Sequence, residues 1–88
     1  MRIQVRRTGG FAGIERRAEV DTSTRPDAEE WQALAGRVLA SGLATPPAGV
    51  PDGFSYEISV DGRTVYAADP RLTEDQQELV SRVLKEGA

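Results

Sequence analysis

Apolar and polar residues alternate at the start of the chain, with Ile3 and Val5 set between Arg2, Gln4 and Arg6. A period of two is that of a strand with one buried face, so the first strand is read as Arg2 to Thr8. After Gly9-Gly10-Phe11-Ala12-Gly13, the residues Ile14, Arg16, Ala18 and Val20 share one face, and Glu15, Arg17, Glu19 and Asp21 share the other. That is a second, weaker strand pattern, and three glycines in five positions permit the compact connection of a hairpin. The run Asp21-Thr22-Ser23-Thr24-Arg25-Pro26 is turn and cap chemistry, with Pro26 suited to the first turn of a helix. Trp31, Leu34, Ala35 and Val38 then recur at helical spacing, Leu39 lies beside them, and Asp27, Glu29 and Glu30 complement the positive end of the helix dipole. Gly42 is expected to stop this helix in the left-handed conformation.

Pro46, Pro47, Pro51 and two glycines make the segment from Ala44 to Gly53 a loop, because proline can neither continue a helix nor occupy a central strand. Phe54, Tyr56, Ile58 and Val60 alternate with Ser55, Glu57, Ser59 and Asp61, the cleanest strand pattern in the chain. Asp61-Gly62 predicts a type I′ turn, and the next strand is expected from Arg63 to about Ala68, before Asp69-Pro70. The pattern leaves open whether Thr64 or Val65 faces outward, and with it the placement of Tyr66. Thr73-Glu74-Asp75-Gln76 has the spacing of a capping box, and Leu79, Val80, Val83 and Leu84 form the apolar stripe of a final helix ending at Gly87.

The predicted order is β-β-α-β-β-α, an α+β fold in one domain spanning residues 1–88. Its simplest architecture is a four-stranded antiparallel sheet with both helices packed on one face. The other face, including Arg6, Glu57 and Ser59, is then expected to be polar or engaged by a partner. Trp31 and Tyr56 are assigned to the core by their spacing. The two β-β-α halves show no residue-level repeat.

Composition narrows the chemistry. The 88 residues include no cysteine and no histidine, which removes disulfides, thiolate nucleophiles, imidazole bases and the common zinc sites. A chain this short buries only about 60% of its unfolded surface and has no cleft between domains. The 14 carboxylates offer many pairs, but Glu29-Glu30 and Glu74-Asp75 fall in first helical turns, where the dipole explains them. No catalytic residue, metal site or cofactor is assigned. Asp52, Asp61 and Asp69 fit turns and lack the spacing of a calcium loop. The glycine segment also lacks the Gly-Lys-Ser/Thr of a phosphate loop.

The net charge is −3, which gives no bulk reason to bind nucleic acid or an anionic membrane, and no stretch approaches the apolar length of a membrane span. The N-terminal residues lack the apolar core of a secretory signal, so a cytoplasmic protein with a protein partner is expected. Charge is unevenly spread: Arg2, Arg6, Arg7, Arg16 and Arg17 against Glu15 give the first 17 residues +4, leaving −7 for the remaining 71. This hairpin either seeks an acidic partner or, more plainly, is a solvated face whose arginines pair with Glu15, Glu19 or Glu57. A large apolar residue at a glycine-rich tip, Phe11, is either folded back on the core or offered to a partner.

The segment Ile3-Gln4-Val5-Arg6-Arg7-Thr8-Gly9-Gly10-Phe11-Ala12-Gly13-Ile14, with the strand ending Glu19-Val20-Asp21, resembles the opening of the protealysin inhibitor emfourin family. Ala33-Leu34 to Leu43 on a helix, the proline-rich loop and Phe54-Ser55-Tyr56-Glu57-Ile58 extend the likeness along nearly the whole chain. It is specific mainly in Gly9 to Ile14. The resemblance implies a small proteinaceous inhibitor of thermolysin-like zinc metallopeptidases, without enzymatic activity, typically encoded beside its peptidase and lacking a signal peptide. The expected partner-binding residues are Gly10, Phe11, Ala12, Gly13, Ile14 and Glu15, with Phe11 or Ile14 as the apolar anchor and Glu15 as the carboxylate nearest the enzyme's zinc. The loop from Ala44 to Gly53 and the segment from Asp21 to Arg25 are the other contact surfaces consistent with this reading. The rival is a non-inhibitory interaction module acting through the arginine-rich hairpin. A monomer is expected, although an open sheet face leaves room for a homodimer.

Overall fold

The computed structural model of the chain describes residues 1–9, 15–47 and 53–87. Its elements are β1 (Arg2–Gly9), β2 (Arg16–Asp21), α1 (Ala28–Ser41), β3 (Phe54–Val60), β4 (Arg63–Ala68) and α2 (Glu74–Glu86). The strands form one antiparallel sheet in the order β2-β1-β3-β4. β1 is therefore central, with Ile3 opposite both Val20 and Val60, and Val5 opposite both Ala18 and Ile58.

The inward side chains of all four strands meet both helices in one core. Ile3, Val5, Ala18, Val20, Ile58, Val60 and Val65 pack against Trp31, Leu34, Ala35 and Val38 of α1 and Leu79, Val80, Val83 and Leu84 of α2. Each fully buried large apolar side chain contributes about 1.5–3 kcal/mol over its exposed state, and no disulfide supplements them. Trp31 and Tyr56 are buried as their spacing predicts. Over the Trp31 ring lie the guanidiniums of Arg82, 4.2 Å from its centroid, and Arg25, at 5.7 Å.

Local signals hold where the bonding is local. The Thr73 hydroxyl accepts from the Gln76 amide at 3.1 Å, and the Gln76 side chain accepts from the Thr73 amide at 2.9 Å, completing the capping box. Asp61 and Gly62 both take positive φ, 47° and 86°, as a type I′ turn requires. The register settles β4: Thr64 lies opposite Ser59 on the open face, Val65 lies opposite Ile58 in the core, and Tyr66 joins the open face beside Glu57.

Four expectations change. β1 runs one residue further than read, through Gly9, while β2 begins only at Arg16, with Glu15 outside the ladder. Gly42 ends α1 in extended backbone, φ −75°, rather than left-handed. A Cβ there would collide with the Val65 side chain, so close packing is what calls for glycine. Pro26 precedes the N-cap Asp27 and is not in the first turn; the Asp27 carboxylate makes no cap bond and pairs instead with Arg82 at 3.0 Å. Finally, the chain after α1 is more than a connection. Leu43 exchanges backbone hydrogen bonds with Tyr66 on the outer edge of β4. Pro46 and Pro47 then face Thr8, Ser55, Glu57 and Tyr66 across a cavity of about 150 Å³, so part of the sheet's open face is overlaid.

Candidate functional site

The expected partner-binding residues Gly10, Phe11, Ala12, Gly13 and Ile14 lie outside the described residues, as does the 48–52 part of the proline-rich loop. Their attachment points are defined. Gly9 ends β1 opposite Phe54, with φ +99°, and a Cβ on it would stand 2.7 Å from the Gly53 carbonyl oxygen. The Phe54 amide donates to the Asp69 carboxylate at 3.0 Å, and the Asp69 amide donates to the Phe54 carbonyl at 2.9 Å. Gly9, Gly53 and the turn after β4 thus lie side by side at one end of the sheet.

Asp21 to Arg25, the other surface considered, sits at the opposite end with Met1 and Asp61. Thr22 donates its amide to the Met1 carbonyl at 2.8 Å, and the Arg2 amide donates to Asp61 at 2.8 Å. The Ser23 amide donates to Asp21 at 3.0 Å, an Asx turn that holds the Asp21 carboxyl below the usual carboxylate range. A surface that reaches both ends of the sheet would have to span the length of β1, about 3.4 Å per residue.

The base of the hairpin carries an arrangement that the alternation pattern did not reveal. Arg6 stands directly opposite Arg17, and Arg7 directly opposite Arg16, two like-charge steps in succession. Like charges facing across strands repel. The signal was present in the sequence: the doublets Arg6-Arg7 and Arg16-Arg17 are equidistant from the point between Phe11 and Ala12, so a hairpin centred there opposes them.

Each step is relieved differently. On the helix-covered face the two side chains part: Arg7 lays its guanidinium over the Phe54 ring, 4.4 Å from the centroid. Arg16 donates to the Leu84 carbonyl, at the negative end of α2. On the open face Glu15 sits between the other pair. Arg17 Nε donates to Glu15 Oε1, and Arg6 lies 3.2 Å from the same oxygen and donates to Oε2 at 3.4 Å. Arg6 also reaches across to β3, donating to Glu57 at 3.4 Å. The bonds from Arg17 and then Arg6 hold the Glu15 carboxyl below its usual value of 4.5. Further along the face, Glu19 accepts from Gln4 at 2.6 Å and pairs with Arg2 at 3.7 Å. The arginines of the open face pair with Glu15, Glu19 and Glu57, as the plainer reading expected.

Among the described residues no group of three or more His, Cys, Asp or Glu side chains is placed to hold a metal ion, and no helix is long and apolar enough to cross a membrane.

Comparison with curated proteins gives no match, and comparison with solved structures gives none. The model of the Emfourin family matches residues 5–84, taking in the whole of β2, β3, β4 and α1 and most of β1 and α2. By that match, which covers nearly the whole chain, the protein belongs to the Emfourin family.

Proposed function

We propose that this chain is a proteinaceous inhibitor of a thermolysin-like zinc metallopeptidase, which it blocks by seating segments from one end of its sheet in the active-site cleft. The observation that carries this reading is the family match over residues 5–84. The geometry supports it in one respect. Both legs of the glycine-rich segment are braced, Gly9 against Gly53 and Glu15 between two arginines, so less ordering entropy is lost when a partner is engaged. Gly10 to Ile14 supply the contact, with Phe11 or Ile14 as the anchor, and the proline-rich loop is a second proposed contact. The inhibitor supplies no catalytic group or cofactor of its own. Its proposed setting is the cytoplasm and its working form the monomer.

The rival, an interaction module that uses the free charge of its arginines, draws less support. Arg2, Arg6, Arg7, Arg16 and Arg17 all have partners within the fold.

The test is titration of the purified protein into a thermolysin-like peptidase while following cleavage of a short peptide, with a serine peptidase as control. Loss of the metallopeptidase activity alone, saturating near one inhibitor per enzyme, is the expected result. No effect on several such peptidases overturns the proposal and moves attention to proteins captured by the hairpin. Within the inhibitor, Phe11→Ala is expected to weaken inhibition at least about tenfold, some 1.4 kcal/mol, with the thermal midpoint nearly unchanged. Equal loss of inhibition and of stability would make Phe11 a core residue.

A further inference from the structure

The facing arginines on the open sheet face assign Glu15 a part other than contact with a peptidase. Arg6 and Arg17 oppose each other one step before the last pair of the β1–β2 ladder, and cross-strand repulsion there acts to part β1 from β2. Glu15 is the carboxylate that both guanidiniums share. Its bond to Arg17 is local, between neighbours on one chain segment, and ties nothing across the sheet. Its bonds to Arg6 cross from the β2 leg to β1, and Arg6 Nη1 continues to Glu57 on β3. The bridge therefore runs from the end of the glycine-rich segment through the central strand to its other neighbour. The companion step, Arg7 opposite Arg16, needs no such anion because its side chains diverge to Phe54 and Leu84.

We infer that Glu15 is a positioning residue: by neutralising the facing pair Arg6 and Arg17 it keeps the base of the hairpin closed, and so fixes where the partner-binding segment is held. The inference rests on the proposed inhibitory function for its consequence, and on the register alone for its cause. It also sets the sign of a salt effect. Removing the shared carboxylate leaves two like charges facing, and salt screens that repulsion, with a Debye length of about 10 Å at 0.1 M and about 3 Å at 1 M. A Glu15 that touched the enzyme directly would give no such recovery.

The experiment compares the wild-type chain with Glu15→Gln and the double variant Glu15→Gln/Arg17→Gln, at about 20 mM and about 0.5 M sodium chloride, conditions on either side of strong screening. In the free protein, backbone amide exchange at Arg16 and Ala18 is expected to quicken about tenfold in Glu15→Gln at low salt. It should return to within about twofold of wild type at high salt, or when Arg17 is also replaced. Against a thermolysin-like peptidase, the inhibition constant of Glu15→Gln should rise roughly fivefold at low salt and recover under the same two conditions. Exchange that is unchanged in Glu15→Gln, or a loss of inhibition that neither salt nor the second substitution relieves, overturns the inference. The exchange measurement needs no enzyme: if the wild-type chain inhibits no peptidase, the functional proposal fails while the exchange data still decide whether Glu15 closes the hairpin.

Discussion

Alanine at Gly9 tests whether Gly9 and Gly53 are braced against each other at their end of the sheet. Gly9 has φ +99°, and a Cβ there would stand 2.7 Å from the Gly53 carbonyl oxygen and 3.7 Å from Phe54 Cα. Two penalties combine. A side chain at strongly positive φ costs about 1–2 kcal/mol, and displacing the backbone of Gly53 adds about 1–3 kcal/mol, as for other overpacked sites. Gly62 provides the control, because its φ is +86° and nothing lies within 4 Å of its Cβ position. Gly62→Ala therefore carries the conformational penalty alone. Gly36, inside α1 with nothing within 4 Å, is the opposite case, and alanine there should stabilise the helix by about 0.5–1 kcal/mol. For a domain of this size 1 kcal/mol moves the thermal midpoint by about 4–8 °C. Thermal melts followed by circular dichroism should thus rank the variants, with Gly36→Ala above wild type, Gly62→Ala below it, and Gly9→Ala lower again by about 4 °C or more. Gly9→Ala melting together with Gly62→Ala would mean that the approach to Gly53 carries no weight, and the argument for a braced site would fail. Inhibition measured on the same variants should fall for Gly9→Ala and hold for Gly62→Ala, which lies at the other end of β3.

Two further outcomes follow from single groups. Thr73→Ala removes the acceptor of the α2 capping box and should lower stability by about 1 kcal/mol in urea or thermal unfolding; no change would mean that water caps the helix equally well. The Tyr56 phenol is pushed above its ordinary value of 10.0, chiefly by burial and further by Asp69, with Arg7 opposing. A raised folded value means that the folded state holds its proton longer than the unfolded chain. Stability is then fully present below the unfolded value and lost as pH rises through the folded one. Wild-type stability should fall above about pH 10 more steeply than that of Tyr56→Phe, and parallel curves would refute the assignment.

The glycine-rich segment and Phe11 stand out in the sequence because each is unusual for its place, which needs no partner to notice. Local elements were equally legible. The alternation of Phe54 to Val60, the Asp61-Gly62 turn and the Thr73-Gln76 box depend on bonds among residues at most a few positions apart, so the residues that make them also announce them. What the tertiary structure alone decided is everything set by which distant segments meet. β1 lies between β2 and β3 because Ile3 and Val5 find Val60 and Ile58 across more than fifty residues, a choice that alternation leaves free, since any apolar strand face satisfies it. Position 42 takes a glycine because Val65 fills the space beside it, and Asp27 forgoes its cap bond because Arg82 arrives from the other helix. Leu43 pairs with Tyr66 only because α1 delivers it to the edge of β4. The opposition of Arg6 to Arg17 belongs between the two classes. Sequence symmetry about the glycines contains it, but only a fixed register turns that symmetry into a repulsion, and gives Glu15 something to neutralise.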